Sequence, residues 1–146
     1  MRLPAHLVDL GFKSLNALHR TTLRLSGGRL GRRAFGMVVV ELHTVGRRSG
    51  LERSTILAAP VVEGGRLVLV ASKGGDDRDP DWYRNLCAQP EAELTIDGER
   101  RAVRARTASA EEADELWPRI IGAYGPYAGY RRRARREIPL VLAEAR

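Results

Sequence analysis

Two short turn signals constrain this chain more than any other feature: Glu63-Gly64-Gly65 and Asp97-Gly98 each separate a pair of short apolar runs. Gly-Gly and Asp-Gly readily adopt the positive φ that a two-residue hairpin needs at both central positions, so each pair is expected to fold as adjacent antiparallel strands. The paired runs are 53–62 with 66–72, and 93–96 with 100–107. A further strand is expected over 37–44, where the unbroken Val38-Val39-Val40 run predicts burial on both faces, and a last one over 138–142.

Helices are expected between these strands. Leu7, Gly11, Phe12, Leu15, Leu18, Thr22 and Leu25 recur at helical spacing, which predicts an amphipathic helix over about 5–25, stopped by Ser26-Gly27-Gly28. Asp79-Pro80-Asp81 reads as an N-cap with proline at the first helical position, opening a short helix that ends near Ala88. Ser109 and Glu112 form a capping box for a helix to about Tyr124, which Pro118 should kink or restart. Hairpin-joined strands with inserted helices argue for an α+β fold, an antiparallel sheet or small barrel with packed helices. The chain is expected to be a single domain overall, with an N-terminal amphipathic helix in residues 1–30 and the sheet domain over 31–146. The βαβ alternation, GxGxxG and Walker loop of nucleotide-binding folds are missing.

Cysteine and histidine usage narrows the chemistry. The single cysteine, Cys87, cannot form an intrachain disulfide, and it is expected to be a buried small hydrophobe. No signal pattern or membrane-spanning apolar run is seen, so a cytoplasmic protein is expected. His6, His19 and His43 are scattered, so no metal site is expected and any redox chemistry must use a bound organic cofactor. The net charge of +7 favours an anionic partner. Arginine supplies nearly all of the positive charge, which makes Lys73, one of two lysines, conspicuous inside a glycine loop.

The loops carry the chemistry. Val45-Gly46-Arg47-Arg48-Ser49-Gly50, followed by Arg53 and Thr55, combines a sharp turn with guanidinium groups and hydroxyls, the makings of an anion pocket. Ser72-Lys73-Gly74-Gly75 is a second such loop, and Trp82 and Asn85 follow it on the next helix. Tyr124, Tyr127 and Tyr130 have a spacing that can stack them along one side of a helical segment. The Arg131-Arg132-Arg133-Ala134-Arg135-Arg136 run reads as a solvated face.

Taken in order, Thr44-Val45-Gly46-Arg47-Arg48-Ser49-Gly50, Arg53-Ser54-Thr55, Ala71-Ser72-Lys73-Gly74-Gly75, Pro80-Asp81-Trp82-Tyr83-Arg84-Asn85-Leu86, Trp117-Pro118, the three tyrosines and Glu137-Ile138-Pro139 resemble the deazaflavin-dependent nitroreductase family. The resemblance implies a split β-barrel of the flavin-binding type. It also implies coenzyme F420, an 8-hydroxy-5-deazaflavin whose side chain carries a phosphate and an oligoglutamate tail. On that reading Arg47, Arg48, Ser49, Arg53 and Thr55 cradle the anionic tail, Ser72, Lys73, Gly74 and Gly75 meet the polar edge of the ring, and Trp82 and Asn85 border it. The tyrosines line the acceptor pocket, with Tyr127, the middle one, as leading catalytic candidate beside Tyr124 and Tyr130. The implied activity is hydride transfer from reduced F420 to a quinone-like or nitroaromatic acceptor. A non-catalytic F420 carrier and, on the arginine run, a nucleic-acid module are the alternatives. Membrane contact through the first helix and a homodimer are left open.

Overall fold

The computed structural model describes residues 33–146, so the expected first helix lies outside the described residues. Among the described residues, eight strands form one sheet: β1 (Arg33–Ala34), β2 (Met37–Val45), β3 (Glu52–Ala59), β4 (Val61–Glu63), β5 (Arg66–Val70), β6 (Glu91–Ile96), β7 (Glu99–Thr107) and β8 (Leu140–Ala145). The helices are α1 (Asp81–Ala88), α2 (Ala110–Ala123) and α3 (Pro126–Arg133). Every strand pairing is antiparallel, in the order β1-β2-β6-β7-β8-β5-β4, with β3 on β2. The sheet curls until β3 lies against β5 without pairing to it, which is a split barrel.

Both predicted hairpins form. Gly64 and Gly65, and Asp97 and Gly98, all have positive φ, and the flanking residues pair as Glu63↔Arg66 and Ile96↔Glu99. The expected strand 53–62 is instead two strands. Pro60, without an N–H to donate, interrupts the ladder, so β3 stays on β2 and β4 crosses to β5.

Two cores explain the near-continuous apolar runs. Alternate residues of β5 and β8 point to opposite sides, so Leu67, Leu69, Val141 and Ala143 enter the barrel while Val68, Val70, Leu140 and Leu142 face outward. Trp82 and Leu86 of α1 complete the inner core, and Leu116, Trp117 and Ile120 of α2 cover the outer one. The Ser109–Glu112 capping box is present: Glu112 N–H donates to Ser109 Oγ at 3.2 Å and Ser109 N–H to Glu112 Oε1 at 2.9 Å.

Helix α2 runs through Pro118 without restarting; Pro118 and Asp114, whose carbonyl it would have bonded, are both exposed, so water can satisfy the freed oxygen. Two further expectations are corrected. Helix α1 begins one residue late, with Pro80 rather than Asp79 at the N-cap and no side-chain cap, since Arg136 has taken the Asp79 carboxylate. Cys87 lies on the exposed side of α1 rather than in the core.

Candidate functional site

The 46–51 turn is locked from within. Gly46 N–H donates to Leu51 O and Gly50 N–H to Gly46 O, both at 2.8 Å. A side chain at Gly46 would strike Ser49 Oγ, 2.6 Å from where its Cβ would stand. Ser49 Oγ accepts from Leu51 N–H at 3.2 Å and from Arg53 Nη2 at 3.4 Å. Thr55, half-buried, pairs with Leu42 and shares the inner side of β3 with Arg53.

The cationic residues of this turn divide into two kinds. Arg47 is turned toward α1: its Nη1 donates to Asn85 Oδ1 at 2.9 Å and its Nη2 lies 3.3 Å from Asp81 Oδ1. Buried Asn85 is held at both ends, since its amide nitrogen donates to Thr44 Oγ1 at 3.2 Å. Arg48 and Arg53 are exposed. Arg47 and Asn85 therefore bolt the turn to α1, leaving the Arg48 and Arg53 guanidinium groups exposed to solvent. Trp82, 9 % exposed, packs in the inner core edge-on to Tyr83.

The second loop is held from behind by Arg136. Its Nε donates to Asp76 O at 3.1 Å, and its Nη2 to Ala71 O at 3.0 Å, Ser72 O at 3.2 Å and Arg78 O at 3.0 Å. Its Nη1 lies 2.9 Å from Asp79 Oδ1, and the side chain is 15 % exposed. The reading of 131–136 as a solvated face is corrected at Arg136 alone, which is a clamp; Arg131, Arg132, Arg133 and Arg135 are exposed, with Arg131 stacked 4.2 Å over the Trp117 ring and Arg133 5.3 Å over Tyr130. Arg78 holds the Asp76 carboxyl below the ordinary carboxylate range, chiefly through a side-chain hydrogen bond. Nothing in the sequence pattern distinguished Arg136 from its neighbours, because a clamp on carbonyls from a distant loop leaves no periodic signal.

The clamp sets the direction of the loop's donors. In a trans peptide the C=O and N–H point oppositely, so turning Ala71 and Ser72 carbonyls toward Arg136 aims the N–H groups of Ser72 and Lys73 away from it. Lys73 is at φ 46, Gly74 at 63 and Gly75 at 85. A Cβ on Gly75 would lie 3.0 Å from Tyr130 O and 3.1 Å from Tyr130 Cα, so only glycine lets the loop rest on α3.

That contact brings the tyrosines to the loop. They are not on one helix: Tyr124 caps α2, while Tyr127 and Tyr130 lie on α3 after the Gly125-Pro126 break. Their rings nevertheless form a row, Tyr124 to Tyr127 at 5.3 Å and Tyr127 to Tyr130 at 5.7 Å, each pair edge-to-face. The middle position makes Tyr127 the buried one, with its hydroxyl 4.0 Å from Met37 Sδ. Burial, reinforced by Tyr130 and Tyr124, pushes its phenol up to about 12. Tyr130 is half-buried, and burial together with a hydrogen bond involving Tyr124 raises its phenol as well.

Among the described residues, no group of His, Cys, Asp and Glu side chains could hold a metal ion, and no helix is long and apolar enough to cross a membrane. His43, on the outward side of β2, bonds Thr95 Oγ1 through Nε2 at 2.7 Å.

Residues 16–145 match the model of the F420H(2)-dependent quinone reductase family. An F420H(2)-dependent quinone reductase of Mycobacterium tuberculosis is 35% identical over 134 residues, 88% of this chain and 89% of that protein. A solved F420-H2 dependent reductase, FDR-A, is 34% identical with a TM-score of 0.65, covering 73% of this chain and 93% of that one. A structure described as a domain-swapped dimer is 31% identical with a TM-score of 0.68, covering 87% and 96%. With the match spanning most of its length, the chain belongs to the F420H(2)-dependent quinone reductase family.

Proposed function

We propose that this oxidoreductase uses coenzyme F420 to reduce a quinone, holding the cofactor's anionic tail at Arg48, Ser49, Arg53 and Thr55 and its ring against the 72–75 loop. The single observation behind the site is the meeting of three parts. Arg47 ties the basic turn to α1, the glycine loop leads into α1, and Gly75 seats that loop on Tyr130. The residues suit the cofactor: two exposed guanidinium groups, Arg48 on the locked turn and Arg53 at the start of β3, match phosphate and carboxylates, and a backbone bare of a side chain at Gly74 admits a flat ring. When bound, F420 supplies a hydride-donating deazaflavin.

The protein's own task is orientation and polar stabilisation. Arg47 and Asn85 position the tail turn rather than touch the tail. The Ser72 and Lys73 N–H groups present donors to a polar ring edge, with the Lys73 ammonium beside them. Trp82 supports α1 from the core. Tyr130, the half-exposed tyrosine that abuts the loop, donates a hydrogen bond to the acceptor oxygen, and Tyr124 flanks it. Tyr127 buttresses both from behind, because its hydroxyl is committed inward to Met37.

Nitroaromatic compounds would be adventitious acceptors. A carrier without turnover is the competing reading. Steady-state loss of F420H2 absorbance on adding menadione tests both; binding of F420 without quinone-dependent oxidation would leave only the carrier. Tyr130→Phe should lower turnover about tenfold, the worth of one hydrogen bond of about 1.4 kcal/mol, with F420 affinity unchanged. Tyr127→Phe should stay close to wild type. The reverse ranking would return the donor role to Tyr127. Vesicle sedimentation of the full chain tests membrane contact through residues 1–30, and light scattering tests a homodimer.

A further inference from the structure

The described residues contain three two-residue hairpins, and one breaks the chemistry of the other two. Gly64-Gly65 and Asp97-Gly98 put residues suited to the left-handed region at the first turn position. The β1–β2 hairpin puts Phe35 there, at φ 53, followed by Gly36 at φ 81, with Ala34 and Met37 paired across it. A bulky aromatic at positive φ is an outlier, and residues strained in this way cluster at active sites and ligand clamps. Phe35 is not needed for the core, since it is 76% exposed.

Its ring instead meets Tyr124, with centroids 5.0 Å apart and planes 31° from parallel. It thus extends outward the row that runs from Tyr130 through Tyr127 to Tyr124. The hairpin is also fastened to that row at Met37, whose sulfur takes the Tyr127 hydroxyl. An exposed ring tilted against the last tyrosine adds an apolar face to the acceptor side, where a flat fused-ring molecule gains more than a single ring.

We propose that Phe35 is a specificity-determining residue that contacts the acceptor and selects flat, apolar, fused-ring quinones over single-ring ones. This rests on the reading that the tyrosine row borders the acceptor. Asparagine suits the turn better than phenylalanine, so the test separates folding from function. Phe35→Asn should melt at or above the wild-type temperature and bind F420 equally well in a fluorescence titration. Its KM for menadione should rise about fivefold with kcat little changed, while kinetics with 1,4-benzoquinone shift less than twofold. Phe35→Trp should restore the menadione KM. A wild-type menadione KM in Phe35→Asn would overturn the proposal, and loss of vesicle binding in that variant with unaltered kinetics would overturn it in favour of a lipid-facing role. Wild-type protein that binds F420 but oxidises F420H2 with neither quinone would sink the underlying quinone-reductase reading, and this proposal with it.

Discussion

Arg136→Ala should lower unfolding stability by about 2–3 kcal/mol, the cost of losing charge-assisted hydrogen bonds from a part-buried guanidinium. The guanidinium meets the carbonyls of Ala71, Ser72, Asp76 and Arg78 together with the Asp79 carboxylate, and a methyl group replaces none of those bonds. Arg136→Lys should recover only part of the loss, because an ammonium is a compact charge with three donors and no planar fork. The denaturant midpoint of each variant measures this. F420 affinity should fall in both, since the Ser72 and Lys73 N–H directions depend on the clamp. A midpoint for the alanine variant within about 0.5 kcal/mol of wild type, the range of an inconsequential surface change, would show that the loop holds itself.

Arg48→Ala together with Arg53→Ala should weaken F420 binding about a hundredfold. Each single change should cost about tenfold, near the lower end of a charge-assisted hydrogen bond because both groups are exposed. The fold should be unaffected. Wild-type affinity should also drop with added salt, and the double variant should show a flatter dependence, since screening acts on the charges removed. Fluorescence titration at two salt concentrations reads both effects. Affinity within twofold of wild type would move the tail elsewhere. Arg47→Ala is the informative contrast, because its bonds to Asn85 and Asp81 predict lost stability alongside any lost affinity.

The legible parts of this chain were those written in local chemistry. Asp97-Gly98 and Gly64-Gly65 demand hairpins, Ser109 and Glu112 cap a helix within one turn, and the Val38-Val39-Val40 run announces a strand buried on both faces, where Val39 and Val40 are both buried. Pro60 and Pro118 were harder, because proline states only what its own N–H cannot do. Whether the chain turns or continues depends on solvent access to a neighbouring carbonyl. In the candidate site, the basic turn and glycine loop were visible as residue types, while the partners of Arg47, Arg136 and Tyr127 were not. Those partners are separated in sequence by the loops and strands that the fold brings together.

The place of β8 between β5 and β7 has a kinetic meaning. Its pairing joins residues 66–70 to 140–144, so helices α1, α2 and α3 and the β6–β7 hairpin are all enclosed by one closure. Local hairpins can form early, but the β5–β8 ladder must wait for a long loop to close before any contact rewards it. Refolding should therefore be paced by this seam. Until it forms, the apolar sides of β5 and β8 stay uncovered, and crowded, partly folded chains can pair with each other there.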